Sequence, residues 1–244
     1  MIWNKKFEYP TSTRALINGK RHYDIGTNEK LPSVTTILSA TQPEEKRKSL
    51  EAWKKRMGAQ RADRIRDISA MRGTSMHTYL EGHIKDERHL DLTALGQEAE
   101  KMANVVIEKG LGDLGEVWGT EVTLYYPGLY AGATDVVGVY DGKPAIIDFK
   151  QTNKPKQREW IEDYFVQLAA YAMAHNHIYG TKIQSGIILM CSKDCFFQKF
   201  EVHDKEFQGY MHKFLARIDE YYKIVPNVPN KNSPPGTILG QKDE

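Results

Sequence analysis

The chain has 244 residues, 40% of them hydrophobic, enough to bury a sizeable core in one domain. Lys and Arg (34) nearly balance Asp and Glu (32), leaving +2, so no global basic surplus announces nucleic acid and any such partner must be read from local patches. Two cysteines exclude a disulfide framework, no apolar run approaches a membrane span, and MIWNKKFEYP is neither a signal nor an Arg/Ser-rich transit sequence, which together predict a cytoplasmic setting.

Residues 14–23 (RALINGKRHY) carry Asn18-Gly19 between β-compatible residues and predict an N-terminal hairpin. In LPSVTTIL (31–38), Ser33 is placed to cap a short helix that turns Val34, Ile37 and Leu38 inward; its hydroxyl is alternatively a phosphate contact. Residues 44–72 have few helix breakers and ten basic residues against five acidic ones, a local surplus of +5. The stretch is either a solvated helix face or a phosphate-tracking surface with Trp53 as a stacking platform and Lys54, Lys55 and Arg56 as its densest basic run. Arg72-Gly-Thr-Ser-Met-His77 then opens a helix to about residue 85, with Thr74 as its cap and Met76, Leu80 and Ile84 as its apolar stripe. His77 lies beside that stripe and, on spacing alone, fits a core or surface histidine better than a ligand.

Residues 98–111 predict a helix ended by Gly110 and Gly112, and residues 120–126 (TEVTLYY) alternate as a strand. Glu121 in that strand is an exposed edge charge or a third carboxylate of the site that follows. Residues 133–140 and 144–150 are β-rich apolar runs joined by Asp141-Gly142, a two-residue hairpin loop. Tyr140 then faces Lys143, and the register places Asp135 opposite Asp148, with Cβ atoms about 4.5–5.5 Å apart, where like charges destabilise a sheet. Lys150 projects from the same face as Asp148. Val137, Val139 and Ile146 share that face, and Val136, Ile147 and Phe149 the other, so both faces read as buried. Buried charges need partners or a metal. The opposed acids therefore read as a cage for a divalent cation, with Lys150 aimed at whatever the cation activates, rather than as surface charges on an edge hairpin.

The exit QTNKPK places Lys154 and Lys156 where they would hold a polyanion. Residues 157–179 predict a helix closed by Gly180, with Tyr164, Gln167, Leu168 and Tyr171 at helical spacing; the glutamine in that stripe points to a polar contact. Residues 185–191 and 196–202 form a second hairpin, and Asp204 caps a last amphipathic helix carrying Phe207, Met211, Phe214 and Ile218 inward. Residues 226–244, rich in Pro, Asn and Gly, predict a loosely attached tail, leaving 1–225 as one domain.

Gly132-x-x-Asp135, Asp148-x-Lys150 and Gln167-x-x-x-Tyr171, in that order, resemble the PD-(D/E)XK nuclease superfamily in its RecB-like branch, and Arg72-Gly-x-x-x-His77 looks like that branch's upstream helical histidine. More narrowly, LPSVTTIL, RGTSMH, the glutamate of TEVTLYY and DFKQTNKPK are similar to the mitochondrial genome maintenance exonuclease group and its phage and bacterial relatives, over residues 31 to about 180. The resemblance implies an α/β fold: a restriction-endonuclease-like central mixed sheet flanked by helices, with a basic helical arch at 44–72. It implies a Mg2+- or Mn2+-dependent deoxyribonuclease, an exonuclease preferring single-stranded DNA with a free end. The alternatives are a duplex-resecting recombination exonuclease, an endonuclease of the same superfamily, or a non-catalytic nucleic-acid-binding module, against which the opposed acids argue.

In the implied site Asp135, Asp148, His77 and the Phe149 carbonyl hold the metal, and Lys150 orients the attacking water. Gln167 and Tyr171 position Lys150 or its strand, and Glu121 completes the site as a second-metal ligand or a partner of the water. Ser33, Lys54, Lys55, Arg56, Arg72, Lys154 and Lys156 are the expected DNA contacts. Relatives with an iron–sulfur cluster use four cysteines, so no cluster is expected here. Mitochondrial members would carry a transit peptide, so a bacterial or phage relative, serving replication or recombination proteins, is the expectation.

Overall fold

In the computed structural model, which describes residues 1–27 and 29–225, the chain runs β1 (Ile2–Trp3), β2 (Thr13–Ile17), β3 (Lys20–Asp24), β4 (Lys30–Pro32), α1 (Val34–Ala40), α2 (Glu44–Met57), α3 (Ala59–Lys85), α4 (Ala94–Gly110), β5 (Leu114–Tyr126), β6 (Tyr130–Tyr140), β7 (Lys143–Thr152), α5 (Glu162–Tyr179), β8 (Ser185–Ser192), β9 (Phe197–His203) and α6 (Asp204–Ile224). The expected tail, 226–244, lies outside the described residues. Six strands form one mixed sheet in the order β1-β5-β6-β7-β8-β9, and β2-β3-β4 form a small separate one. The parallel pairs are β1–β5 and β7–β8, the latter joined by the α5 crossover that parallel pairing requires.

Alternation along the hairpin strands divides the core. Val137 and Ile146 face a cluster built with α1, α5 and α6, including Ile37, Leu168 and Phe214. Val136 and Ile147 face a second cluster built with α3 and α4, including Met76, Leu80 and Met102. The result is the expected α/β architecture, a central mixed sheet with helices on both faces. Asp141 and Gly142 make the expected turn at φ 46° and 73°, the left-handed values of a two-residue loop, and Tyr140 faces Lys143 as the register requires.

Three local expectations are corrected. The long basic helix does not run from 44 to 72. It breaks at Gly58, whose φ of 80° and ψ of 140° end α2, and α3 continues unbroken from Ala59 through Gly73 to Lys85. Thr74 is therefore mid-helix, not a cap; a helix interior accepts a glycine such as Gly73 at about 1 kcal/mol when packing compensates. Asp204 makes no side-chain cap either, since the N-cap position of α6 is His203. Ser33 does cap α1, accepting from Thr36 N–H at 3.0 Å.

Candidate active site

The site lies where the sheet forks. β6 pairs with β5 along its whole length, from Tyr126–Tyr130 to Leu114–Tyr140, but its ladder with β7 stops at Val136–Ile147. On its other edge β7 stays paired with β8 from Ile146 to Thr152. Phe149, whose N–H would extend the broken ladder, donates to Asp135 Oδ2 at 2.6 Å. The carboxylate thus occupies the opening, one register step beyond the last pair and level with Asp148.

On the other side of β6, Glu121 sits opposite Asp135, between the pairs Thr120–Val136 and Val122–Thr134. Glu121 has φ 51°, a left-handed conformation inside a strand that costs a non-glycine residue on the order of 1 kcal/mol and re-aims its side chain. Glu121, Asp135 and Asp148 therefore form a row across three adjacent strands. α3 brings His77 to it, with Nδ1 at 3.3 Å from Asp135 Oδ1 and the ring edge-on to Phe149. His77, Glu121 and Asp135 each present a ligand atom within 4.8 Å of one another.

Asp148 stands outside that group because Lys150 holds it: Nζ lies 2.5 Å from Asp148 Oδ2. Lys150 Nζ reaches Gln167 Oε1 at 3.4 Å and lies over the Tyr164 ring, and Gln167 Nε2–H donates to Tyr171 Oη at 2.9 Å. The polar side chain in the α5 stripe is explained by this relay. Gly132 is part of it, since a Cβ there would fall 2.7 Å from Tyr171 Cε1.

Burial and mutual charge set the protonation states. Burial raises Glu121, reinforced by Asp135, to about 7, and raises Asp148 to about 6 against the pull of Lys150. Burial would also raise Asp135, but His77, Lys150 and the Phe149 N–H bring it below the ordinary carboxylate range. For His77, burial opposes the charged ring, yet Asp135 and Asp148 lift it to about 9. Lys150 is raised, as Asp148 and Asp135 outweigh its desolvation, so it stays an ammonium. A divalent cation fits this donor set, in which two carboxylates and an imidazole converge.

The row opens into a cleft of about 650 Å³ lined also by Arg14, Arg21 and the buried Ser33, whose hydroxyl is engaged by Thr36. The two arginines were missed in the sequence. Arg14 pairs with Tyr23 and Leu16 with Arg21 across β2–β3, so both arginines share one face of the predicted hairpin; what the hairpin leaned on was not legible. Arg72 is corrected. It is buried, with Nε–H donating to Glu98 at 2.8 Å and Nη1–H to Asn153 at 2.9 Å, and is a clamp between α3, α4 and the end of β7 rather than a free phosphate contact. Lys54, Lys55 and Arg56 are exposed on α2, a helix with no buried residue that is tied to the body by Lys46–Asp163 at 2.6 Å. Lys154 is exposed past β7, and the Lys156 backbone is pinned from both sides by Gln198; neither lines the cleft.

This is an α/β domain of the class that gathers acidic and imidazole side chains at a fork in a mixed sheet, in a cleft that Arg14 and Arg21 also line. No protein-family model matches the chain. Mitochondrial genome maintenance exonuclease 1 of Mus musculus is 30% identical over 229 residues, covering 86% of this chain and 67% of that protein. The Xenopus tropicalis protein of the same name is 28% identical over 232 residues, covering 90% and 64%. The chain belongs to the mitochondrial genome maintenance exonuclease family, and spans about two thirds of the length of these relatives. A solved structure from Eubacterium rectale, described provisionally as an exonuclease, superposes at a TM-score of 0.46 with 16% identity over 64% of this chain and 68% of that one, too distant to carry an argument. Among the described residues no helix is long and apolar enough to cross a membrane.

Proposed function

We propose that this chain is a divalent-metal-dependent deoxyribonuclease of the PD-(D/E)XK type that hydrolyses phosphodiesters from a free end and prefers single strands. The observation that carries this is the row Glu121–Asp135–Asp148 at the fork, with His77 on one side and the Lys150–Gln167–Tyr171 relay on the other. The names of the relatives support an exonuclease role.

Asp135, Glu121, His77 and Asp148, with the Phe149 carbonyl, would hold Mg2+ or Mn2+. When bound, the cation supplies Lewis acidity at the scissile phosphate and lowers the pKa of an attacking water. Lys150 remains charged and is held by Asp148 and Gln167, so it acts as a fixed positive group beside the charge that develops on the phosphoryl oxygens, not as a base. Tyr171 holds Gln167, and Gln167 holds Lys150. Asp135, kept ionised, would be the ligand ready at any neutral pH, and His77 would have to release a proton to join it. Arg14, Arg21 and the basic end of α2 are the surfaces that would draw phosphates in. A cytoplasmic setting in a bacterium or phage-infected cell, and service to replication or recombination proteins, belong to the same proposal.

The test is digestion of one oligonucleotide labelled at either end, free or blocked, single or paired, with Mg2+, Mn2+ or a chelator. Metal-dependent loss of nucleotides from a free single-stranded end is the expected result. Cleavage that survives chelation, or none with either metal, overturns the proposal.

A further inference from the structure

Two further hollows continue the cleft along the N-terminal segment. The first, about 430 Å³, shares Arg14, Tyr23 and Glu121 with the cleft and reaches Tyr9. The second, about 610 Å³, shares Tyr9 with the first and opens onto Trp3, Lys5 and Trp118. Their shared lining residues set the three hollows side by side, from the carboxylate row to the rings of Trp3, Tyr9 and Trp118. Trp118 lies three residues before Glu121 on β5, about 10 Å along the strand at an ordinary rise per residue.

We propose that this groove is an extended subsite for the single strand whose phosphodiester is cut, with bases against the rings of Trp3 and Tyr9 and backbone phosphates at Lys5; it rests on the nuclease reading above. Aromatic faces interleaved with lysine are the chemistry that holds single-stranded nucleic acid without reading its sequence. Trp3 is 37% exposed, and its indole N–H is spent on the Ile84 carbonyl at 3.0 Å, which fixes the ring as a platform. Trp118 is 5% exposed and forms the floor of the hollow, with Lys6 Nζ 3.9 Å from its ring centre. Lys85 also lines the hollow but is engaged by Glu81, and Glu87 stands near it, so the acidic side of the groove repels phosphate. Lys5 is exposed and has no ion pair among the described residues, so phosphates belong on its side. The chemistry argues for a strand rather than a protein segment as occupant, since the groove adjoins the candidate site and carries a free cation at its far end.

The measurement is anisotropy of a labelled oligothymidylate in chelator, alongside hydrolysis of thymidine 5′-(p-nitrophenyl phosphate), a probe too small to leave the carboxylate row. Trp3→Ala and Lys5→Glu should each weaken oligonucleotide binding and raise KM for the oligonucleotide about tenfold, the effect of losing one stacked base or phosphate contact. Hydrolysis of the small ester and metal affinity should be unchanged. Lys5→Glu touches nothing in the fold and decides the matter if Trp3→Ala proves unstable. Wild-type binding by both variants overturns the subsite, and a wild type that binds no strand overturns it together with the nuclease reading. A wild type that binds the strand, loses binding in the variants and hydrolyses neither substrate supports the subsite and overturns the nuclease reading instead.

Discussion

Glu121 and Asp135 stand opposite each other on β5 and β6, and Glu121 takes left-handed φ to do so. The facing pair is a like-charge contact that a sheet would normally avoid, made in a conformation that a glutamate would normally avoid. Both costs point the same way: the position serves the row of carboxylates rather than the stability of the strand. Replacing Glu121 by Gln should therefore leave folding unchanged or slightly stronger while weakening metal binding at least severalfold, read by thermal melting and calorimetric titration.

Lys150 and Asp148 are tied to each other, and their removal should be felt in turnover rather than in the fold. Asp148→Asn and Lys150→Ala should each lower kcat by about 100-fold or more, the scale of losing a fixed electrostatic group at a reacting phosphate. Cooperative melting and DNA binding should persist. Near wild-type turnover in clean preparations of either variant would remove these residues from the chemistry.

Metal binding should expel protons. At pH 7 His77, lifted to about 9, is charged, and Glu121, lifted to about 7, is half protonated. A cation that takes both must displace more than one proton in total, so apparent affinity should rise with pH through the range between the two values. Calorimetry of Mn2+ binding in buffers of different ionisation enthalpy counts those protons. His77→Ala should reduce the count and weaken affinity; an unchanged count would place His77 outside the metal shell.

Arg72 should behave as a structural clamp. Its guanidinium is buried against Glu98 and Asn153, so Arg72→Ala leaves a half-buried carboxylate without its partner. A loss of about 2–3 kcal/mol of stability is expected, below the range for a fully buried pair because Glu98 keeps some water. Salt dependence of DNA binding should be unaltered. Lys54, Lys55 and Arg56, exposed on α2, should show the reverse: neutralising all three should flatten the salt dependence and raise KM with little change in melting. If α2 arches over an entering strand, circular single-stranded DNA should resist digestion that consumes the linear form of matched sequence.

His175 is fully buried on α5, bonded to Tyr9 and Thr181, and burial with Lys6 nearby lowers it to about 4. The unfolded chain takes up that proton near its ordinary value of about 6.5, so stability present above that pH is lost as pH falls towards 4, by about 3 kcal/mol in all. Urea unfolding across this window should show the loss, and His175→Gln should show less of it.

The hairpin at Asp141-Gly142 and its register as far as Val136 and Ile147 were legible because turn chemistry and the two-residue period of a strand fix register locally. The Ser33 cap and the α6 stripe were legible for the same reason, each being set within a few residues of chain. The fork was not, because β6 and β7 part beyond Val136 and Ile147 while their outer edges stay paired to β5 and β8, an arrangement of four strands that no short window contains. His77 reached the site through resemblance alone, since its spacing on α3 fits a bystander, and Glu121 stayed ambiguous until β5 lay beside β6. Arg72 looked like a free basic residue beside a motif, and only burial against α4 and the end of β7 spent its charge. Periodicity and turn residues determine elements and register, because those forces act between near neighbours. Which charges meet, which are buried and which face the cleft were decided by tertiary packing, because desolvation and Coulomb attraction depend on distance in space.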